Sequence, residues 1–203
     1  MIFSLHPKYK KYLIGAAIAG IIVGICVVLA RPTRPAEREI IWGVTFSDKF
    51  AKLFTDMDWR DTYQAILADL GVKHIRLVAY WDEIEREPGV YTFDDLDWMM
   101  DRAAQAGAQV TLVAGRKQPR WPECHLPDWA RDLSPEAREE ALRAYMSAVI
   151  ARYRDNPNIS VWQIENEPFL RFGKECPSRV SGFLEKEIAL VRSLDTFRSI
   201  LIT

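Results

Sequence analysis

The sequence predicts an α/β fold built on a parallel sheet, and three observations predict it. Apolar strand-like runs alternate with helix-period segments from Ile40 onward. The helix patterns start at acidic residues or Ser-Pro and stop at glycine. The unusual side chains Trp81, Arg116, Trp121 and Glu167 fall at or just beyond strand C-termini, where parallel α/β sheets collect function. Right-handed crossovers then give either a barrel or an open doubly wound sheet. A nucleotide-binding sheet is disfavoured, because no glycine-rich phosphate loop follows the first strand.

Taken in order, Ile40 to Phe46 reads as the first strand. Asp58 starts a helix with Asp61 in its first turn, and Gly71 ends it in the C′ position. His74 to Trp81 is the second strand. Asp94 caps the next helix, which puts Leu96, Met99, Met100, Ala103 and Ala104 on one face before Gly107 stops it. Val110 to Ala114 follows as the third strand. Ser134-Pro135-Glu136 is a helix start with proline at the first helical position, where its missing N–H is no loss. Leu142, Met146, Val149, Ile150 and Tyr153 supply its buried stripe. Ile159 to Ile164 is apolar enough for a strand covered on both faces, and Pro168, which cannot donate a ladder hydrogen bond, closes it. Strand alternation then sends Glu165 and Glu167 to one side and Asn166 to the other. A helix over Ser181 to Leu194 and a fifth strand over Ser199 to Thr203 complete the pattern.

With 203 residues, a net charge of -1, 49% hydrophobic and 27% charged residues, the chain holds one globular domain with a sizeable core. No charge excess points to nucleic acid. Ahead of the domain, Tyr12 to Ala30 is a 19-residue run without a charge. At about 1.5 Å per residue it nearly crosses a hydrocarbon core of about 30 Å. Val28-Leu29-Ala30 offers a signal-peptidase site, but the long apolar run and Arg31-Pro32 favour an uncleaved signal anchor. Lys8, Lys10 and Lys11 precede the span and Arg31, Arg34 and Arg38 follow it, so the positive-inside count is tied. The compact lysine cluster with the free amino terminus tips the N-terminus inward and the domain to the extracytoplasmic side. The expected organisation is a basic cytoplasmic segment over 1–11, a transmembrane signal anchor over 12–30, a linker over 31–39 and the domain over 40–203. Three cysteines are too few for a disulfide scaffold. Cys26 lies in the span, and for Cys124 and Cys176, both in loops after strands, a bridge and two unpaired thiols stay equally open.

Longer motifs carry a family resemblance. Gly71-Val72-Lys73-His74-Ile75-Arg76-Leu77, Trp81, the run Glu85 to Phe93 (Glu-Arg-Glu-Pro-Gly-Val-Tyr-Thr-Phe) and Leu96-Asp97 resemble the second βα unit of the clan A glycoside hydrolases. Gly107-Ala108-Gln109-Val110 with Pro119-Arg120-Trp121 resembles the third unit, and Trp162-Gln163-Ile164-Glu165-Asn166-Glu167-Pro168 the fourth, where that clan carries an Asn-Glu acid/base pair. The resemblance covers nearly everything from Ile40 to Thr203. It implies a (β/α)8 TIM-barrel glycosidase, cellulase-like or β-galactosidase-like, of which strands 1 to 5 are present behind an N-terminal transmembrane helix.

Carried over by position, Glu167 matches the general acid/base, Asn166 the residue that binds the sugar 2-hydroxyl, and Arg76 the arginine that supports the nucleophile. A retaining glycosidase needs one carboxylic acid to protonate the leaving oxygen and a second carboxylate about 5 Å away to form the glycosyl intermediate. An amide suits the hydroxyl, since it both donates and accepts, and the acid is expected to be partly buried. Arg116 is a further candidate substrate-binding residue. Trp81 and Trp121 read either as sugar-stacking platforms or as core, and His125 lines the site or lies on the surface. Three scattered histidines show no ligand spacing, so no metal and no cofactor is expected.

The clan places its nucleophile at the end of a seventh strand, past the fifth strand of this chain, and Glu165 cannot replace it from the same strand as Glu167. The expectation is therefore a membrane-anchored retaining glycosidase represented by its acid/base half, with little turnover alone unless a complementing chain supplies the other half. The alternative is a non-catalytic anchored module that binds carbohydrate or a partner through the same face.

Overall fold

The computed structural model describes residues 15–25, 40–54, 57–174 and 176–203. It divides into two compact units, Met1–Ile40 and Ile41–Thr203. In the first, residues 15–25 form helix α1, exposed along its length. Among the described residues no helix is long and apolar enough to cross a membrane. The basic segment 1–11, both flanks of the expected 12–30 span, Cys26 and the 31–39 linker lie outside the described residues.

The second unit is a parallel sheet of β1 (Val44–Thr45), β2 (His74–Val78), β3 (Gln109–Ala114), β4 (Ile159–Ile164) and β5 (Ser199–Leu201), in the order β1-β2-β3-β4-β5. Sequential order without reversal sends every right-handed crossover to one side, whereas a doubly wound sheet reverses and covers both faces. Of the two architectures open to the sequence, this is the wall of a barrel.

The helices α2 (Asp48–Phe54), α3 (Trp59–Ala68), α4 (Trp81–Ile84), α5 (Asp94–Gln105), α6 (Asp128–Arg131), α7 (Pro135–Tyr153) and α8 (Phe183–Leu194) supply the other layer. Ile75, Leu77 and Ala79, then Val110, Leu112 and Ala114, then Trp162 and Ile164 face that layer and form one core with Met99, Tyr145, Met146, Val149 and Val191. The alternate positions carry a small separate cluster, Val78, Tyr80 and Val113, and the polar residues Thr45, Arg76 and Gln163. The apolar alternation thus seals one face and leaves the polar side chains on the other.

Local signals explain most elements. Asp58 caps α3 by accepting from the N–H groups of Arg60 and Asp61 at 2.7 and 3.2 Å. Ser134 caps α7 by accepting from Ala137 N–H at 3.2 Å, and the predicted stripe from Leu142 to Tyr153 is buried. Gly71 and Gly107 have positive φ of 62° and 64° just past their helices, as the C′ position demands.

Departures occur at strand ends. The first strand is expected from Ile40, yet its ladder holds Val44 and Thr45, and Ile40, Ile41 and Trp42 are exposed. A Cβ at Gly43 would sit 2.7 Å from His74 O, so β1 approaches β2 there more closely than a side chain allows. The second strand is expected to reach Trp81, but its ladder stops near Val78 and Trp81 opens α4. Ala104, expected on the buried face of α5, is exposed. The short helices α2, α4 and α6 carry too few periodic positions to be read as helices from sequence.

Candidate active site

β4 ends at Ile164, and the extended geometry ends with it. Glu165 and Glu167 have φ of 60° and 49°, and with Arg120 (89°) and Glu123 (74°) they are the non-glycine residues of positive φ among the described residues. Each left-handed residue costs about 1–2 kcal/mol, and such strain persists where the surroundings over-determine it. All belong to the loops leaving β3 and β4. The expectation that Glu165 and Glu167 share a side therefore fails, because alternation holds only while φ stays extended.

Glu165 turns inward and is fully buried. Its carboxylate accepts from the N–H groups of Arg116 and Lys117 at 2.9 and 2.6 Å and from Arg179 Nη1 at 2.8 Å. Gly115 (φ 139°) makes room for it, since a Cβ there would lie 2.8 Å from the carboxyl group. Arg179 also grips Glu139 of α7 through two bonds of 2.5 and 2.7 Å, bonds Glu187 of α8, and packs its guanidinium 3.8 Å from the Phe183 ring centroid. Burial, reinforced by the Glu165 charge, raises the Glu187 pKa, and the Arg179 guanidinium opposes that rise. Burial opposes the charge of Arg179, but Glu165 and Glu139 raise its pKa overall. This network fixes the start of the motif and leaves Asn166 and Glu167 to face outward.

Glu167 is exposed, rather than partly buried as expected. Its backbone is held at both ends: its N–H donates to Thr203 Oγ1 at 3.3 Å, and its carbonyl accepts from Lys117 Nζ at 2.9 Å. The Asn166 amide makes long contacts, donating to Glu123 Oε2 at 3.4 Å and accepting from Gln163 Nε2 and Thr203 Oγ1 at 3.5 Å. Arg76 reaches this group through Gln163, donating to Gln163 Oε1 at 3.1 Å and to Thr45 Oγ1 at 2.9 Å. Gln163 in turn donates to Glu165 O at 2.9 Å. Burial and the nearby Arg120 lower the Arg76 pKa. Arg76, Asn166 and Glu167 are thus linked along one face, with neutral groups rather than a carboxylate as the partners of Arg76.

The other predicted residues divide. Trp81 is fully buried, donates Nε1–H to Glu85 Oε2 at 2.7 Å and stacks on Tyr145 at 5.8 Å, so it is a core residue and offers no face to a sugar. Trp121 is 54% exposed and meets Phe172 edge-on at 5.8 Å, an aromatic rim beside the motif. Arg116 is buried in the wall of a neighbouring groove. His125 is buried against Tyr80, not on the surface. It accepts from Lys49 Nζ at 3.1 Å and donates to Arg120 O at 3.2 Å, and burial, then the Lys49 charge, lower its pKa to about 4. Cys124 and Cys176 form a disulfide that ties the loop after β3 to the loop after β4.

Sequence reasoning missed Glu123, Gln163, Arg179 and the carboxylates Glu139 and Glu187. A signal for the last two exists: Glu139 lies three residues before Leu142, and Glu187 four residues before Val191, on buried helical faces where a carboxylate demands a cation. Among the described residues no group of His, Cys, Asp or Glu is arranged to hold a metal.

The sequence pattern described as Glycosyl hydrolase family 10 matches residues 74–186. Beta-galactosidase BbgII of Bifidobacterium bifidum is 29% identical over 157 residues, covering 68% of this chain and 22% of the relative. Endo-1,4-beta-xylanase 3 of Hypocrea jecorina is 26% identical over 130 residues, covering 62% of this chain and 35% of the relative. The chain therefore spans about a fifth to a third of the length of these two. Among solved structures, GH5_18 from Streptomyces cattleya in complex with GlcNAc aligns with a TM-score of 0.64 at 18% identity, over 82% of this chain and 44% of that one. A glycosylated endo-beta-1,4-xylanase of family 10 from Gloeophyllum trabeum aligns with a TM-score of 0.59 at 20% identity, over 79% and 50%. These structures share the fold.

Proposed function

Because the chain belongs to glycosyl hydrolase family 10, we propose that it acts on β-linked O-glycosides by a retaining double displacement with Glu167 as the general acid/base. The motifs stop at the clan, and the match over residues 74–186 names the family within it. One observation carries the proposal: an exposed carboxylate at the C-terminal end of β4, beside Asn166, with its backbone clamped by Lys117 and Thr203.

In the first step Glu167 protonates the leaving glycosidic oxygen while a carboxylate attacks the anomeric carbon. In the second, Glu167 takes the proton from the water that releases the sugar. Asn166 pairs with the 2-hydroxyl, since its contacts of 3.4 to 3.5 Å are weak enough to exchange for a sugar. Arg76 acts through Gln163 as a positioning residue, and Trp121 gives a pyranose an apolar ring. The clan pattern assigns the nucleophile to a seventh strand, which these five strands do not include, so a complementing chain or segment has to supply it. The Cys124–Cys176 bridge supports an oxidising, extracytoplasmic location, with residues 12–30 as the anchor. The β-galactosidase, β-xylanase and β-mannosidase names of the relatives support a β-linked substrate.

The test is hydrolysis of aryl β-xylosides, β-galactosides and β-mannosides by the chain, alone and mixed with strands six to eight of a family 10 relative. Turnover in the mixture that drops about 10²–10⁴-fold in Glu167→Gln supports the assignment. Turnover that survives the substitution overturns it. Sugar binding without turnover in any mixture favours the non-catalytic module, for which the exposed Trp121 and Phe172 provide the surface.

A further inference from the structure

A groove of about 1140 Å³ opens outside the loops of β3 and β4. Its wall includes Pro168, the residue after Glu167, and the described residues that line it include five cations and no carboxylate. Three of the cations are committed. Lys117 donates to the carbonyls of Glu167 and Leu170, Arg131 to Asp128 and Leu126 O, and Arg179 to its three glutamates.

Arg116 and Arg171 differ. Arg116 is 4% exposed, and its Nε and Nη1 have no hydrogen-bond partner among the described residues. The nearby carboxylates are already engaged, Glu165 by two backbone N–H groups and Arg179, and Glu139 by Arg179 in a two-bond clasp. Burial, with Arg179 beside it, lowers the Arg116 pKa to about 10, so its charge is retained at neutral pH but poorly solvated. Arg171 lines the same groove from the surface and makes no ion pair with the described residues. A buried guanidinium without an acceptor is a site built for an anion, and a carboxylate fits its planar fork. Phe169 and Phe172, 73% and 54% exposed, stand on the same wall.

We propose that this groove binds an acidic sugar, a uronic acid residue whose carboxylate is taken by Arg116 and Arg171 while the sugar faces rest on Phe169 and Phe172. The proposal rests on the glycosidase reading and names the substrate class: an acidic, branched or copolymeric β-glycan.

The test is calorimetric titration of the full chain with a neutral xylo-oligosaccharide, the same oligosaccharide bearing one glucuronic acid, and inorganic phosphate. The acidic oligosaccharide is expected to bind about tenfold tighter than the neutral one, with the advantage shrinking at high salt. Arg171→Gln on the surface cuts the advantage severalfold without changing the melting temperature, and Arg116→Gln removes it. Equal affinities for the two oligosaccharides, or an advantage that survives Arg171→Gln, overturn the proposal, as does phosphate competing away the acidic ligand at equal concentration. Failure of the glycosidase reading has a different signature: a non-catalytic carbohydrate module still separates the two oligosaccharides but gives no turnover in any mixture, and a chain that takes no carbohydrate binds neither.

Discussion

Breaking the Cys124–Cys176 bridge tests how far the site loops depend on a covalent tie. The bridge has a sequence separation of 52 residues and connects two loops that flank Asn166 and Glu167. Closing a loop of that length lowers the entropy of the unfolded chain by about 14 cal/mol/K, which is worth about 4 kcal/mol near 25 °C. With a urea slope of about 2 kcal/mol/M, the unfolding midpoint should fall by about 2 M in the Cys124→Ser, Cys176→Ser double variant. Cys176 is exposed, so mild reductant should give the same shift in the native chain. Equilibrium urea unfolding followed by tryptophan fluorescence and by circular dichroism reads the effect, with the slope rising modestly because the untied unfolded chain exposes more surface. A shift below about 0.5 M would refute the reasoning, because it would mean either that the thiols are unpaired or that the unfolded loops are already held together.

Three further outcomes are expected. Burial, and then the Asp48 charge, push Glu83 up to about 7, so the folded state binds a proton that the unfolded chain releases near pH 4. Its stabilising contribution is complete below pH 4 and is lost as the pH rises to about 7; Glu83→Gln should flatten that slope in melting curves and stabilise the protein at pH 8 by up to about 3 kcal/mol. Trp81→Ala should cost about 3–5 kcal/mol in urea unfolding, whereas Trp121→Ala should shift stability by less than about 0.5 kcal/mol and weaken oligosaccharide binding about three- to tenfold. Burial opposes the charge of Asp195, but bonds from Trp162 Nε1, the Arg198 side chain and two backbone N–H groups outweigh it and hold the carboxyl below its usual range. Its contribution is present above about pH 4 and lost on acidification, so the melting gap between the native chain and Asp195→Asn should be widest at pH 7 and narrow toward pH 2.

The helix starts and stops were legible because each depends on one or two neighbouring residues: Asp58 and Ser134 accept their own N–H groups, and Gly107 supplies a left-handed turn. Strands β2 to β4 were legible because one face is continuously apolar. What stayed hidden depends on groups distant in sequence. Trp81 looked like a strand end until the ladder stopped and a helical turn buried it against Trp129 and Tyr145. Glu165 looked like the companion of Glu167, and its burial is decided by Arg179 and by the missing Cβ of Gly115. Periodicity follows a chain only while its dihedrals repeat. Here φ changes sign at Glu165 and Glu167.

The sequential strand order has a consequence for how the domain is made. Every strand pairs with the one synthesised just before it, so contacts form early and the sheet can grow one hairpinless unit at a time as the chain leaves the ribosome. The exception is the Glu165 carboxylate, which waits 14 residues for Arg179, itself held later by Glu187. A ribosome-stalled chain ending before Arg179 should carry protected amides in β2 and β3 but an open loop after β4, and early protection of that loop would contradict this order. The loop after β4 is therefore locked later than the strands that precede it, and a chain released before Arg179 would have the first four strands without a fixed rim.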